Sequence, residues 1–276
     1  MATTMSRPKP EPISKPPRQL PFPLSLYQTA VGKKWVMALT GIGLLGFVLA
    51  HMIGNLHLYE GPVELREYAE TLRDIGTEVI PRTWFLWGFR LGLIAMFALH
   101  IHAAYTLKAM SVKANPSSSV LDGTKKYEGG QDFIAVNFAG RTMVASGTIV
   151  GLFIVYHLAD LTWGVLPWVD YERGDPYHNV VSSLENWPVA LLYIVANILL
   201  AMHIFHGTWS LFQSLGINNP RYNGARRAFA GSIAAVILIG NLSFPILVQA
   251  GLVDEDNCTA PCGITGEEVE AEEAGQ

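Results

Sequence analysis

Long apolar stretches alternate with short polar connections along this chain. Five stretches, at residues 34–57, 84–107, 142–164, 188–212 and 229–250, contain few charged residues. Each is long enough to cross a hydrocarbon core, which takes roughly 20 apolar residues in a helix. A soluble bundle would need a polar face on every helix, and these segments lack one. The pattern predicts an all-α integral membrane protein with five transmembrane helices. It divides the chain into a Pro-rich basic arm at 1–30, a five-helix transmembrane domain at 31–252 and an acidic tail at 253–276.

Composition agrees with that division. Half of the 276 residues are apolar and 15% are charged, against about 25% in an ordinary soluble domain. The first residues, MATTMSRPKPEPISKPPRQLPFP, show no apolar core and no small-residue cleavage site, so a signal peptide is not expected. A surface-lying or disordered arm is.

Lys and Arg set the orientation. They cluster in the arm (Arg7, Lys9, Lys15, Arg18, Lys33, Lys34), in the second loop and its edges (Lys108, Lys113, Lys125, Lys126, Arg141) and in the fourth loop (Arg221, Arg226, Arg227). The remaining connections carry only Arg66, Arg73, Arg82 and Arg173, among many acidic residues. A cytoplasmic N-terminus and a C-terminus on the outer side put every basic cluster inside. No nucleotide-binding, serine-hydrolase or metalloprotease motif occurs, and the basic loops follow topology, so no nucleic-acid partner is expected. No internal repeat is obvious beyond the similar placing of histidines.

The histidines carry the candidate chemistry. His51, His57, His100, His102, His157, His203 and His206 lie in or at the ends of apolar spans, while His178 falls in an outer loop. Ionisable side chains inside a membrane are costly and mark function by default; a single one can also simply bond a neighbouring carbonyl. Depth separates the two readings. His51 lies about 17 residues into the first span, roughly 25 Å, and His157 is at nearly the same depth in the third. His100 and His203 fall in the last halves of the second and fourth spans, which run the other way. Two pairs at two depths suit two stacked haem groups, each iron held by imidazoles from two helices. Gly54, Ala103, Ala104 and Gly207, near these histidines, suit a flat macrocycle as well as ordinary helix contact. Without a CxxCH motif any haem is b-type. His102 is expected near headgroups or a propionate, and Arg90 beside an acid or a propionate. Asp160 is either a proton group or the partner of Arg90. Spacing alone leaves His203 and His206 as alternatives.

The stretches VGKKWVMALTG, HMIGNLHLYEGP, ELREYAETLR, LHIHAAYTL, FIVYHLADLTWG and MHIFHGTWSLFQSLG resemble the single-chain, five-helix cytochrome b anchor of succinate dehydrogenase and fumarate reductase, respiratory complex II. The resemblance covers roughly residues 25 to 250. It implies a multi-pass subunit of a bacterial plasma membrane, with a flavoprotein subunit and an iron–sulfur subunit docked on the inner face. Electrons from succinate would pass through the anchor to menaquinone or ubiquinone, and the whole complex could oligomerise. By analogy the outer haem takes His51 and His157 and the inner haem takes His100 and His203, with the first histidine of HxxHG as ligand. Thr29, Lys33 and His206 are the first candidates for the quinone site, and the outer mouth near Glu60 and Asp160 is the second. The chain departs from the family at Thr29-Ala30, where a serine is usual, and over Val112-Lys113-Ala114-Asn115-Pro116, where an Arg- and Pro-rich stretch is usual. Alternatives are a di-haem cytochrome b serving another dehydrogenase and a non-redox transporter with buried histidines.

The outer site forks further. Cys258 and Cys262, in CTAPC, are the only cysteines and are expected on the same side as His51 and His157. Two Cys and two His are the ligand set of a Rieske-type [2Fe–2S] centre, although the usual His beside each Cys is missing. A disulfide is the simpler expectation in an oxidising compartment, and free thiols are the third.

Overall fold

The computed structural model describes residues 20–22, 24–114, 134–217 and 219–254. Cys258 and Cys262 lie outside them, as do most of the basic arm and the acidic tail. The described residues form eight α-helices and no strand: α1 (Leu24–Gln28), α2 (Ala30–Asn55), α3 (Pro62–Asp74), α4 (Trp84–Ala114), α5 (Ile134–Leu161), α6 (Pro176–Glu185), α7 (Trp187–Ser214) and α8 (Asn223–Gln249). Helices α2, α4, α5, α7 and α8 are long and apolar enough to cross a membrane. Several run past the apolar stretches because capping chemistry, not hydropathy, sets a helix end. Thr29 shows this at the start of α2. Its hydroxyl accepts from Gly32 N at 2.9 Å and donates to the Leu26 carbonyl at 2.7 Å.

The long helices alternate in direction. Met37, early in α2, lies against His100, late in α4; Phe212, late in α7, meets Phe229, early in α8, at 6.0 Å. One end of the bundle therefore gathers Lys33, Lys108, Arg226 and Arg227, and is here called the basic end. The other is capped by the short helices α3 and α6. Arg226 is buried at the basic end, where it donates to the Ile217 carbonyl at 2.5 Å and bonds Asn223.

Residues 24–28 close the stretch expected as a surface-lying or disordered arm. They form α1, which packs on α2. Its Tyr27 hydroxyl shares a 2.5 Å hydrogen bond with His102 Nδ1 on α4.

Most of the buried core lies under the cap. Leu58, Leu65, Tyr177, Val181, Leu184, Val189, Tyr193, Phe244 and Val248 form one cluster there. A smaller one, Ile204, Ala234 and Ile237, joins α7 to α8. Helix α7 packs most extensively on α8, then on α5, while α4 leans chiefly on α2. Among its described side chains α4 buries only Ala103.

The cap is held by local chemistry legible in Asp175-Pro176. Asp175 Oδ1 accepts from the Tyr177 and His178 amides at 3.0 Å each, and Pro176 supplies a preset first turn. Asp175 Oδ2 accepts from Arg66 of α3 at 3.1 Å. Loss of an N-cap of this kind costs about 0.5–2 kcal/mol, and a half-exposed ion pair adds less than about 1 kcal/mol. Asp175→Ala should therefore lower thermal stability, and Asp175→Asn, which keeps the cap, should recover most of the loss. Equal melting curves for the two variants would refute that division.

Candidate functional site

The four interior histidines meet in two pairs across the diagonals of the four-helix group α2, α4, α5 and α7. His100 of α4 and His203 of α7 have ring centres 6.4 Å apart, with planes at 69°. His51 of α2 and His157 of α5 are 6.0 Å apart, with planes at 85°. These are the pairs that depth along the spans puts together. They are stacked along the bundle. His51 and His157 each follow, by 14 residues, a methionine (Met37, Met143) that sits beside the other pair, which is about 21 Å of helix.

Each histidine of the pair nearer the basic end is oriented by a neighbouring helix. His100 Nδ1 lies 3.1 Å from the Met37 carbonyl and 3.3 Å from Thr40 Oγ1, both on α2. His203 Nδ1 lies 3.3 Å from Ser146 Oγ on α5, beside the Met143 carbonyl. A carbonyl only accepts, so Nδ1 carries the proton and the Nε2 lone pair is left for a ligand. A glycine stands beside each ring. A Cβ on Gly41 would lie 3.4 Å from His100 Cε1, and one on Gly147 would lie 2.9 Å from His203 Cε1.

The pair nearer the capped end is set from one side. His157 Nδ1 bonds the Tyr193 hydroxyl at 3.2 Å. His51 instead has Nε2 at 3.3 Å from Asn55 Nδ2, on its own helix. Phe47 stacks on His51 at 5.3 Å, and Phe153 lies 6.0 Å from His157.

These seats contain a repeat that hydropathy hides. Met37-x-x-Thr40-Gly41, with Phe47 and His51 beyond, matches Met143-x-x-Ser146-Gly147, with Phe153 and His157 beyond, at an offset of 106 residues. The matched positions are the groups that touch the histidines. Aligning the segments on their histidines would have exposed them.

The remaining candidates fall in three places. Thr29 caps α2. Lys33 Nζ donates to the Tyr27 carbonyl at 2.9 Å and lies over the Tyr27 ring at 4.2 Å. With His102 these form a polar corner at the basic end, where burial raises the Tyr27 phenol above its ordinary value. His206 follows His203 on α7 and meets Phe205 edge-on at 5.2 Å. At the capped end His57 Nδ1 lies 2.6 Å from Glu60 and stacks on Tyr68 at 4.7 Å. Arg90 and Asp160, whose pairing was one of two alternatives for each, part company. Arg90 lies over the Trp87 ring at 5.2 Å, whereas Asp160 is fully buried and bonded to Ser183 and Tyr193.

The ring-centre separations of 6.4 and 6.0 Å match those of two imidazoles facing each other across a haem, although His51 Nε2 is engaged by Asn55. An imidazole–metal bond is about 2 Å and the ring centre lies about 1 Å behind the nitrogen, so two trans imidazoles stand about 6 Å apart. Among the described residues no group of three or more His, Cys, Asp or Glu is placed to hold a metal ion; axial haem ligation requires only two.

Comparison with protein-family models, curated proteins and solved structures finds no match. The fold itself defines the class: among the described residues it is all-helical, with five helices long and apolar enough to cross a membrane, the pattern of a multi-pass membrane protein.

Proposed function

We propose that this chain is the membrane anchor and electron-transfer subunit of a succinate:quinone oxidoreductase of the complex II type. The observation that carries the reading is the His100–His203 pair, with ring centres 6.4 Å apart and His100 Nδ1 on the Met37 carbonyl. The resemblance, carried by stretches of the first four spans and their connections, supports the family. His100 and His203 would hold a b-type haem near the basic end. His51 and His157 would hold a second haem, or share a [2Fe–2S] centre with Cys258 and Cys262. Such groups supply one-electron carriers between a soluble donor and a quinone.

This chain's residues set the rest. Met37, Thr40, Met143 and Ser146 fix the tautomer and plane of the inner ligands, and the apolar spans keep water away. The Lys and Arg asymmetry supports a cytoplasmic basic end in a bacterial plasma membrane. That end would receive the iron–sulfur and flavoprotein subunits. The corner of Tyr27, Lys33 and His102, beside Thr29, offers donors for a quinone carbonyl where electrons arrive; His206, one turn beyond His203 on α7, is the other candidate.

Purification of the tagged chain from its own membranes in mild detergent tests the assignment. A flavoprotein and an iron–sulfur subunit should copurify, and succinate should reduce added quinone. Copurification of a different dehydrogenase, without succinate oxidation, would transfer the chain to the other di-haem class. Absence of both soluble partners and visible absorption would leave only a transport role.

A further inference from the structure

We infer that Asp160, acting through Tyr193, is the positioning group of the outer centre. The inference rests on the proposed redox reading and deepens it. Asp160 is fully buried late in α5, one turn beyond His157. Its Oδ2 accepts from the Tyr193 hydroxyl at 2.7 Å and from Ser183 Oγ at 2.8 Å. The Tyr193 oxygen in turn lies 3.2 Å from His157 Nδ1. Tyr193 and Ser183 are themselves buried, at 7% and 2% exposure.

The polarity of this chain is fixed by elementary bonding. Oδ2 has no proton to give when it accepts from two hydroxyls. The single Tyr193 proton is therefore spent on Asp160, and the Tyr193 oxygen can only accept from His157. His157 must carry its proton on Nδ1, which leaves Nε2 as the ligand atom. At the inner pair a backbone carbonyl does this work; at the outer pair a buried acid does it, reached through a phenol. Asp160 Oδ1 has no partner among the described residues, an unusual condition for a buried carboxyl oxygen. A group whose only task was to join α5, α6 and α7 could be replaced by packed apolar atoms. An acid at the end of a directed hydrogen-bond chain also increases electron donation from the imidazole, which favours the oxidised metal. Among the described residues His51 has no such support on its side of the pair; Asn55 engages its Nε2 instead.

Redox titration of the purified complex, followed optically and by electron paramagnetic resonance, tests this. Asp160→Asn and Tyr193→Phe should both raise the midpoint potential of the outer centre and leave that of the inner haem unmoved. Asp160→Glu should restore the outer value in part, and Ser183→Ala should shift it less than Tyr193→Phe. Wild-type transitions unchanged in Asp160→Asn and Tyr193→Phe, or inner and outer transitions moving together, would overturn the positioning role while leaving the anchor assignment intact. A wild-type complex with no redox centre would overturn the anchor assignment and this inference with it.

Discussion

His203→Ala is expected to remove one haem b per chain, whereas His206→Ala should retain it. Both residues lie on the same helix three positions apart, so hydropathy and helix content are nearly the same in the two variants. Only His203 stands opposite His100 at 6.4 Å, with its Nδ1 engaged by Ser146. If the pair holds a haem as proposed, loss of the His203 imidazole would remove one of its two holders and leave His100 unmatched inside a low-dielectric bundle. Succinate-dependent quinone reduction should fall with the haem, because this pair lies toward the basic end, where the soluble subunits are proposed to dock. Pyridine haemochrome per chain is the measurement. Equal haem in the two variants, or loss only in His206→Ala, would assign the ligand to the second histidine of HxxHG.

Gly147→Ala should weaken haem retention at the same site by roughly 10–100-fold in affinity, the range seen when the groups that orient a metal ligand are disturbed. The effect is steric. A Cβ on Gly147 would come to 2.9 Å from His203 Cε1 and 3.4 Å from its Nδ1, so the ring must move away from Ser146. The pseudo-equivalent Gly41→Ala provides the control. Its Cβ would meet His100 Cε1 at 3.4 Å and Nδ1 at 3.7 Å, ordinary contact, and should be tolerated. Haem titration of the two variants separates a specific clash from a general intolerance of bulk in the bundle. Equal loss in both would refute the geometric distinction.

Much of this architecture was legible in the sequence because a membrane leaves few options. Twenty or more apolar residues must form a helix in hydrocarbon, and depth along antiparallel helices then places His51 beside His157 and His100 beside His203. What escaped was set by polar detail that hydropathy averages away. The arm's last turn became α1 because Thr29 ends one helix turn and begins the next, and because Tyr27 reaches His102. Helix α6 was signalled by Asp175-Pro176 but is too short and too polar for an apolar-run search. Asp160 was assigned a choice between a proton role and Arg90, whereas its partners come from α6 and α7. Ser183 and Tyr193 are 23 and 33 residues away, and no local spacing rule connects them. The Met-x-x-Thr/Ser-Gly seats were missed because only two of those residue types are polar or unusual, and their meaning appears only when a facing imidazole is placed against them.

The inner histidine pair as a haem site is tested most directly by one spectroscopic comparison. Purified complex should give a reduced-minus-oxidised spectrum of b-type haem and a low-spin bis-imidazole resonance. The inner component should vanish in the His100→Ala/His203→Ala double variant. A wild-type complex without haem, or a double variant whose low-spin signals are unchanged, would contradict it.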